Sequence, residues 1–210
     1  VERNNAVDAL FTRIAESSIR ETGSGLERAR AKREIEKKKQ ELLKGWAIAT
    51  GNWHTSVSDF TDNAEPIGRG KDSIVYESND GNSVIKVSFG KNKEKKFSPD
   101  IDAVNLFNSI FRNTRYEILG YGEIDGKFVK FLRQPAIRFA EVPDISVDER
   151  TEYMQKIGFS PINKDKSAFS NGELVVADIQ KGNIVRDVNG EIRVIDADVK
   201  LHTKDFGGEY

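Results

Sequence analysis

Asp178-Ile-Gln-Lys-Gly-Asn183, running into Ile184–Val188, Asn189-Gly190 and Glu191–Asp196, decides how this chain is read. Two runs rich in β-branched residues flank Asn-Gly, the strongest short signal for a two-residue type I′ hairpin. That turn pairs Val188 with Glu191, Arg186 with Arg193 and Ile184 with Ile195, which puts Asn183 opposite Asp196. Directly opposed residues share a face, with Cβ atoms roughly 5 Å apart. An amide and a carboxylate that close, with Asp178 one short loop upstream, can share a hard cation and orient a hydroxyl. An ordinary surface hairpin with polar ends has the same local sequence, so the stretch needs a second element beside it.

That element is Ile67-Gly68-Arg69-Gly70-Lys71-Asp72-Ser73-Ile74-Val75-Tyr76-Glu77, then Ser83-Val84-Ile85-Lys86-Val87. It reads as strand, glycine-containing turn, strand, tight turn at Asp80-Gly81, strand. Gly68 and Gly70 let the backbone fold closely over a phosphate with no Cβ in the way. Lys86, inside an apolar strand, calls for an anion at its ammonium. A lone Gly-x-Gly is more often a plain hairpin. Gly-x-Gly-x-x-Ser-x-Val, a Val-Ile-Lys strand, Asp-x4-Asn and an apolar strand ending in Asp is a much rarer conjunction.

In this order, over residues 66–198, the chain resembles the protein-kinase-like superfamily. Ile67–Tyr76 is similar to its glycine-rich loop, with Ser73 where the third glycine usually stands. Val84-Ile85-Lys86 is similar to the strand carrying the ATP-phosphate lysine. Asp178–Asn183 is similar to the catalytic loop, with Asp178 as base and Asn183 as metal ligand. Asp196 is similar to the metal-binding aspartate that usually opens Asp-Phe-Gly. Gln134-Pro135 after Phe131-Leu132-Arg133, and the helix around Glu149–Gly158, resemble the compact Ser/Thr/Tyr-kinase-like domains of phage and mobile-element polyvalent proteins.

The departures bear on catalysis. Val176-Ala177 precede Asp178 where His-Arg is usual, and Ala197-Asp198 follow Asp196 where Phe-Gly is usual. A literal Asp205-Phe206-Gly207 is set aside, because no apolar strand leads into it. Fourteen residues follow Asp196 with no Ala-Pro-Glu-like segment, so either a reduced large lobe or an excised piece of a longer protein is expected. A helix is expected from Ser98 as N-cap and Pro99 at the first turn, with Asp100 and Asp102 at its positive end. Ile101, Val104, Phe107 and Phe111 form its apolar stripe. It holds no glutamate to pair with Lys86; Asn105 stands in that place.

Net charge is −1, so no global pull toward nucleic acid or an anionic membrane is expected. The absence of cysteine excludes disulfides and thiolate chemistry and fits a cytoplasmic location. His54 and His202 sit in contexts too distant for a metal site. No apolar run approaches the ~18 residues of a membrane span. With hydrophobic residues at 37% and charged residues at 32%, a core is affordable but modest.

Residues 1–60 read as a helical extension. Val7, Leu10, Phe11, Ile14 and Ala15 mark one amphipathic helix; Leu26, Ala29, Ile35, Leu42, Leu43 and Trp46 mark a longer one ending near Gly51. Glutamates interleave its basic residues, which indicates a solvated face rather than a nucleic-acid surface. The apolar stripe is expected to dock on the kinase-like body, a neighbouring domain or a partner, with Trp46 and Trp53 as anchors. Residues 61–134 read as a small lobe of five strands and one helix, and 135–210 as a reduced large lobe. In the former, Tyr116–Tyr121 and Lys127–Leu132 flank the Asp125-Gly126 turn. In the latter, Ser146 and Glu149 make a capping box for a helix whose Tyr153, Met154 and Ile157 face inward, and a hairpin around Asn171-Gly172 delivers the chain to Asp178.

The expectation is therefore an α+β, two-lobed kinase-like fold using ATP and Mg²⁺. What the resemblance implies is phosphoryl transfer to a hydroxyl on a protein or a small molecule. Lys86 would hold the α/β-phosphates; Gly68, Gly70 and Ser73 would cover them. Arg133-Gln134-Pro135 would be the hinge where an adenine meets backbone groups, with Phe131 beside it as a core or gatekeeper side chain. Asn183 and Asp196 would ligate metal, Asp178 would orient the acceptor, and Lys181 would neutralise the γ-phosphate. Two alternatives stay open: a pseudokinase that binds nucleotide or a partner without transfer, and a kinase-fold nucleotidyltransferase.

Overall fold

The computed structural model describes residues 25–62, 65–89, 101–139 and 144–202, and the chain forms two compact units. One comprises the described residues of Val1–Ile101 with Glu117–Arg133; the other comprises Asp102–Tyr116 with Gln134–Tyr210. Both helices and strands are present, as the α+β expectation requires. The first amphipathic helix, the Ser98-Pro99 helix start and Asp205–Gly207 lie outside the described residues.

The first unit is a helix on a sheet. Helix α1 (Gly25–Ala49) ends in a Schellman arrangement: Asn52 N–H reaches Ala47 O at 2.7 Å and Gly51 N–H reaches Ile48 O at 3.2 Å. Gly51 takes the left-handed φ of 72° that this ending needs. Leu43 and Ala47, spaced i and i+4, are buried with Tyr121, and Trp46, Trp53, Ile118 and Phe128 pack around them. The helix thus docks on the sheet of its own chain through Leu43, Trp46 and Ala47, with Trp53 beside them; Leu42, expected in the same stripe, is exposed, and the side chains of Leu26, Ala29 and Ile35 lie outside the described ones.

The sheet has six strands in the order β1-β5-β6-β4-β3-β2, five of them from Gly68 onward and one from before that stretch. They are β1 (Trp53–His54), β2 (Gly68–Arg69), β3 (Ser73–Glu77), β4 (Ser83–Ser88), β5 (Glu117–Ile124) and β6 (Lys127–Pro135), the last ending in the second unit. The extra strand is β1, which lies parallel to β5 with Trp53 opposite Tyr121 and His54 opposite Gly122. Glycine makes this possible. A Cβ on Gly122 would fall 1.8 Å from His54 O, and one on Gly120 would fall 2.3 Å from Asn52 O. The Asp125-Gly126 turn between β5 and β6 has both residues at positive φ, 51° and 70°, as a type I′ turn requires. The Asp80-Gly81 turn is longer than expected: Ser78 pairs with Ser83 across it, and the Asp80 carboxylate accepts from the amides of Asn82 and Ser83. On one sheet face, Ile85, Val87, Val129 and Phe131 form a fully buried core with Val57, Phe60, Tyr76 and Phe89 around it.

The second unit contains helices α2 (Ile101–Ile110) and α3 (Val147–Lys156), a four-stranded sheet and a two-stranded one. Val104, Phe107 and Phe111 of the α2 stripe are buried, and the Phe107 ring stacks 4.9 Å from Phe111 and 4.8 Å from Tyr116. Helix α3 carries the expected capping box between Ser146 and Glu149. Met154 is fully buried and Tyr153 half-buried, but Ile157 is the exposed C-cap; Thr151 takes the inward place instead. The four-stranded sheet runs β12-β9-β8-β7, with β7 (Ser160–Pro161), β8 (Phe169–Ser170), β9 (Leu174–Ala177) and β12 (Asp198–Leu201).

The hairpin of β10 (Ile184–Arg186) and β11 (Ile192–Val194) is one residue out of the expected register. Ile184 pairs with Val194, Val185 with Arg193 and Arg186 with Ile192. The Asp187 side chain causes the slip. Its Oδ1 accepts from the amides of Asn189 and Glu191, and Gly190 N–H closes onto Asp187 O with Gly190 at φ 82°. The result is a three-residue loop with a left-handed glycine, in which a side chain has competed for the turn. Asn183 therefore sits opposite Ile195, not Asp196.

Candidate functional site

In the first unit the glycine hairpin and Lys86 share a row. Gly68 pairs with Val75 and Val75 pairs with Lys86, so the three lie side by side across β2, β3 and β4. Opposed residues point to one face. Because β4 alternates strictly, with Ile85 and Val87 in the core, Lys86 lies on the face opposite that core. Ser73 and Val75 share a face of β3, as Val84 and Lys86 do of β4. The hairpin closes through Gly70 N–H to Ser73 O at 2.8 Å. Among the described residues, a side chain at either glycine would meet only ordinary contacts. A Cβ on Gly68 would make an ordinary 3.8 Å contact with Val75, and one on Gly70 would stand 3.6 Å from Ser73.

Phe131 is fully buried, its ring 5.5 Å from His54 and 5.2 Å from Phe60. Its side chain is core, which leaves only its backbone to meet a ligand. Arg133 is half-buried and sits 3.4 Å from Glu117.

In the second unit Asp178 and Asn183 meet directly. The Asn183 side-chain amide donates to both the Asp178 carbonyl and its Oδ2, each at 2.9 Å. Gln180 Nε2 donates to the other oxygen, Oδ1, at 2.5 Å. Asp178 takes a left-handed φ of 66°, uncommon for a residue other than glycine, and is followed by fully buried Ile179, whose amide is anchored on Ser167 O. That combination lifts an exposed carboxylate out of a fixed loop. Gly182 at φ 91° and the bond from Asn183 N–H to Gln180 O complete the turn. Because the amide nitrogen is committed to Asp178, Asn183 Oδ1 is the atom left to face a cation.

Asp196 follows at once. The Asn183 carbonyl accepts from the amides of Ile195 (2.8 Å) and Asp196 (3.3 Å), which holds the aspartate beside the loop despite the slipped register. The Tyr116 hydroxyl lies 3.5 Å from Asp196 Oδ1. Lys181 is ion-paired to Asp144 at 2.7 Å; that hydrogen bond, with the carboxylate's charge, raises the ammonium above its usual pKa. Both partners are exposed. Asn105 is exposed on α2.

The expected residues thus fall into two sets, Gly68, Gly70, Ser73 and Lys86 in one unit and Asp178, Lys181, Asn183 and Asp196 in the other. Oxygen donors from an amide and a carboxylate suit a hard cation such as Mg²⁺. Among the described residues no three His, Cys, Asp or Glu side chains cluster as a metal group. Sequence reasoning missed Val75 and Val84, half-buried on the Lys86 face, although strand alternation carried that signal. It also missed Gln180, which grips Asp178, and Tyr116, to which no local pattern points; Gln134 it named for the family resemblance but not as a donor to Ile195.

A glycine hairpin, a strand lysine, an acid–amide loop and a following aspartate, in this order, define a kinase-like domain. The family described as serine/threonine/tyrosine kinase found in polyvalent proteins matches residues 36–203, and the chain belongs to that family. Among curated proteins none matches it. No described helix is long and apolar enough to cross a membrane.

Proposed function

We propose that this domain transfers the γ-phosphoryl group of ATP to a hydroxyl acceptor. The observation that carries the proposal is the clasp between Asp178 and Asn183. It fixes the carboxylate by two donors on separate oxygens and leaves an amide oxygen for a cation. Lys86 holds the α/β-phosphates, Gly68, Gly70 and Ser73 cover them, and Val75 and Val84 offer the half-buried apolar surface a base needs. Asp178 accepts the acceptor hydroxyl's hydrogen bond and aligns its oxygen with the γ-phosphorus. Asn183 and Asp196 would hold Mg²⁺, which supplies charge neutralisation on the phosphates. Assignment of 61–134 and 135–210 to a small and a reduced large lobe, with 1–60 as an extension, belongs to the same proposal.

A second reading, a nucleotide-binding module without transfer, is favoured by one observation: Asp144 already occupies Lys181, the group assigned to the γ-phosphate. Incubation with γ- or α-labelled ATP and Mg²⁺ separates the possibilities. Label transferred from the γ position supports the kinase, and label from the α position a nucleotidyltransferase. Mg²⁺-dependent ATP binding with neither leaves the binding module. Asp178→Asn is expected to abolish γ-transfer with ATP affinity within about twofold, and Lys86→Ala to weaken ATP binding about tenfold or more. Transfer that survives in Asp178→Asn refutes the assigned base.

A further inference from the structure

Three buried side chains converge on the backbone that carries Asp196. Thr114 Oγ1 donates to Val194 O at 2.5 Å, Gln134 Nε2 donates to Ile195 O at 3.0 Å, and the Tyr116 hydroxyl donates to the same Ile195 oxygen at 2.7 Å. Gln134 Nε2 also donates to Thr114 O at 2.6 Å, which ties the donors to one another. All three residues are at least nine-tenths buried. Tyr116 is in turn held by helix α2: the Asn108 side chain donates to Tyr116 O and accepts from Tyr116 N–H, both at 2.7 Å. On the other side, Asn183 O accepts the amides of Ile195 and Asp196.

We infer that Tyr116 and Gln134 are positioning residues for the Asp196 carboxylate, and that Asn108 ties helix α2 to it through Tyr116. The inference rests on reading Asp196 as a cation ligand. Where kinases usually have His-Arg before the catalytic acid and Phe-Gly after the metal-binding one, this chain has Val-Ala and Ala-Asp. The donors that fix the Asp196 segment come instead from the stretch after α2 and from the end of β6. A buried network of this kind holds one geometry because each member loses its partner if the segment moves.

The test is Tyr116→Phe, which deletes one donor while Gln134 keeps the Ile195 carbonyl satisfied, together with Asn108→Ala on the half-buried face of α2. The expected result is at least a fivefold rise in the Mg²⁺ concentration that half-saturates ATP binding, with ATP affinity at saturating Mg²⁺ within twofold of the parent. Amide exchange at Ile195 and Asp196 should accelerate at least fivefold while that of β8 and β9 does not. Lower melting temperatures with an unchanged Mg²⁺ midpoint would mean only a structural role and would overturn the inference, leaving the ATP reading standing. Should the parent protein show no Mg²⁺-dependent ATP binding, the ATP reading fails. The exchange rates at Ile195 and Asp196 then decide the tether by themselves, acceleration supporting it and no change refuting it.

Discussion

Alanine placed at four glycines should divide them sharply. At Gly122 the new Cβ would fall 1.8 Å from the His54 carbonyl oxygen, whereas ordinary van der Waals contact begins at 3.4 Å, so β1 would retreat by about 1.6 Å. That shift breaks the parallel pairing of Trp53–His54 with β5 and loosens Trp53 from Phe128, against which it packs with ring centroids 5.5 Å apart. Overpacking costs about 1–3 kcal/mol, and the loss of packed aromatic surface adds to it, for about 2–4 kcal/mol together. In a chain of this length that lowers the melting temperature by roughly 4–16 °C, at about 2–4 °C per kcal/mol. Gly120→Ala belongs with it, 2.3 Å from Asn52 O. Gly68→Ala and Gly70→Ala meet only ordinary contacts, so their stability should stay within about 1 kcal/mol of the parent. Their defect should instead appear as weaker ATP binding. Thermal melts and ATP titrations on the four variants read both axes. A Gly68→Ala protein as destabilised as Gly122→Ala, or one with undiminished ATP affinity, would refute the view that the hairpin glycines serve a ligand and the β5 glycines serve the fold.

The remaining expectations concern packing and pH. Leu43→Ala should cost about 2–5 kcal/mol in denaturant unfolding, because Leu43 is fully buried under α1, while exposed Leu42→Ala should cost less than about 0.5 kcal/mol; equal effects would mean α1 does not dock through this stripe. Hydrogen bonds from Ser146, backbone first, hold the Glu149 carboxyl below the ordinary glutamate value of 4.5, with the Arg186 charge adding to them. A lowered folded-state pKa gives stability that is present above the unfolded value and lost as pH falls through the folded one. The melting-temperature gap between the parent and Glu149→Gln should therefore be constant above about pH 5 and close in more acid solution; a gap that widens there contradicts the cap assignment.

How far the sequence reached can be judged element by element. The Asp125-Gly126 hairpin and the Ser146–Glu149 box were legible because each rests on residues a few positions apart, where local sterics and hydrogen bonds dominate; the helical stripe was legible at Leu43 and Trp46 but not at Leu42, which is exposed. The β10–β11 register was not. Asn189-Gly190 favours a two-residue turn, but the Asp187 carboxylate captured two amides and shifted the pairing by one, a competition that propensity alone does not resolve. Strand β1 escaped notice because nothing within Trp53-His54 announces it; the cause lies in Gly120 and Gly122, far along the chain, which remove the side chains that would block it.

The order of glycine hairpin, lysine strand, acid–amide loop and aspartate is written in the sequence, since each needs particular residue types at short spacing. So is the alternation that puts Lys86 on the face away from the core. The tertiary structure alone decided that Asn183 spends its amide on Asp178, that Lys181 meets Asp144, and that Tyr116 and Gln134 grip the Asp196 segment. Those contacts join residues from 5 to 80 positions apart, and their geometry exists only once buried strands and helices have fixed both ends.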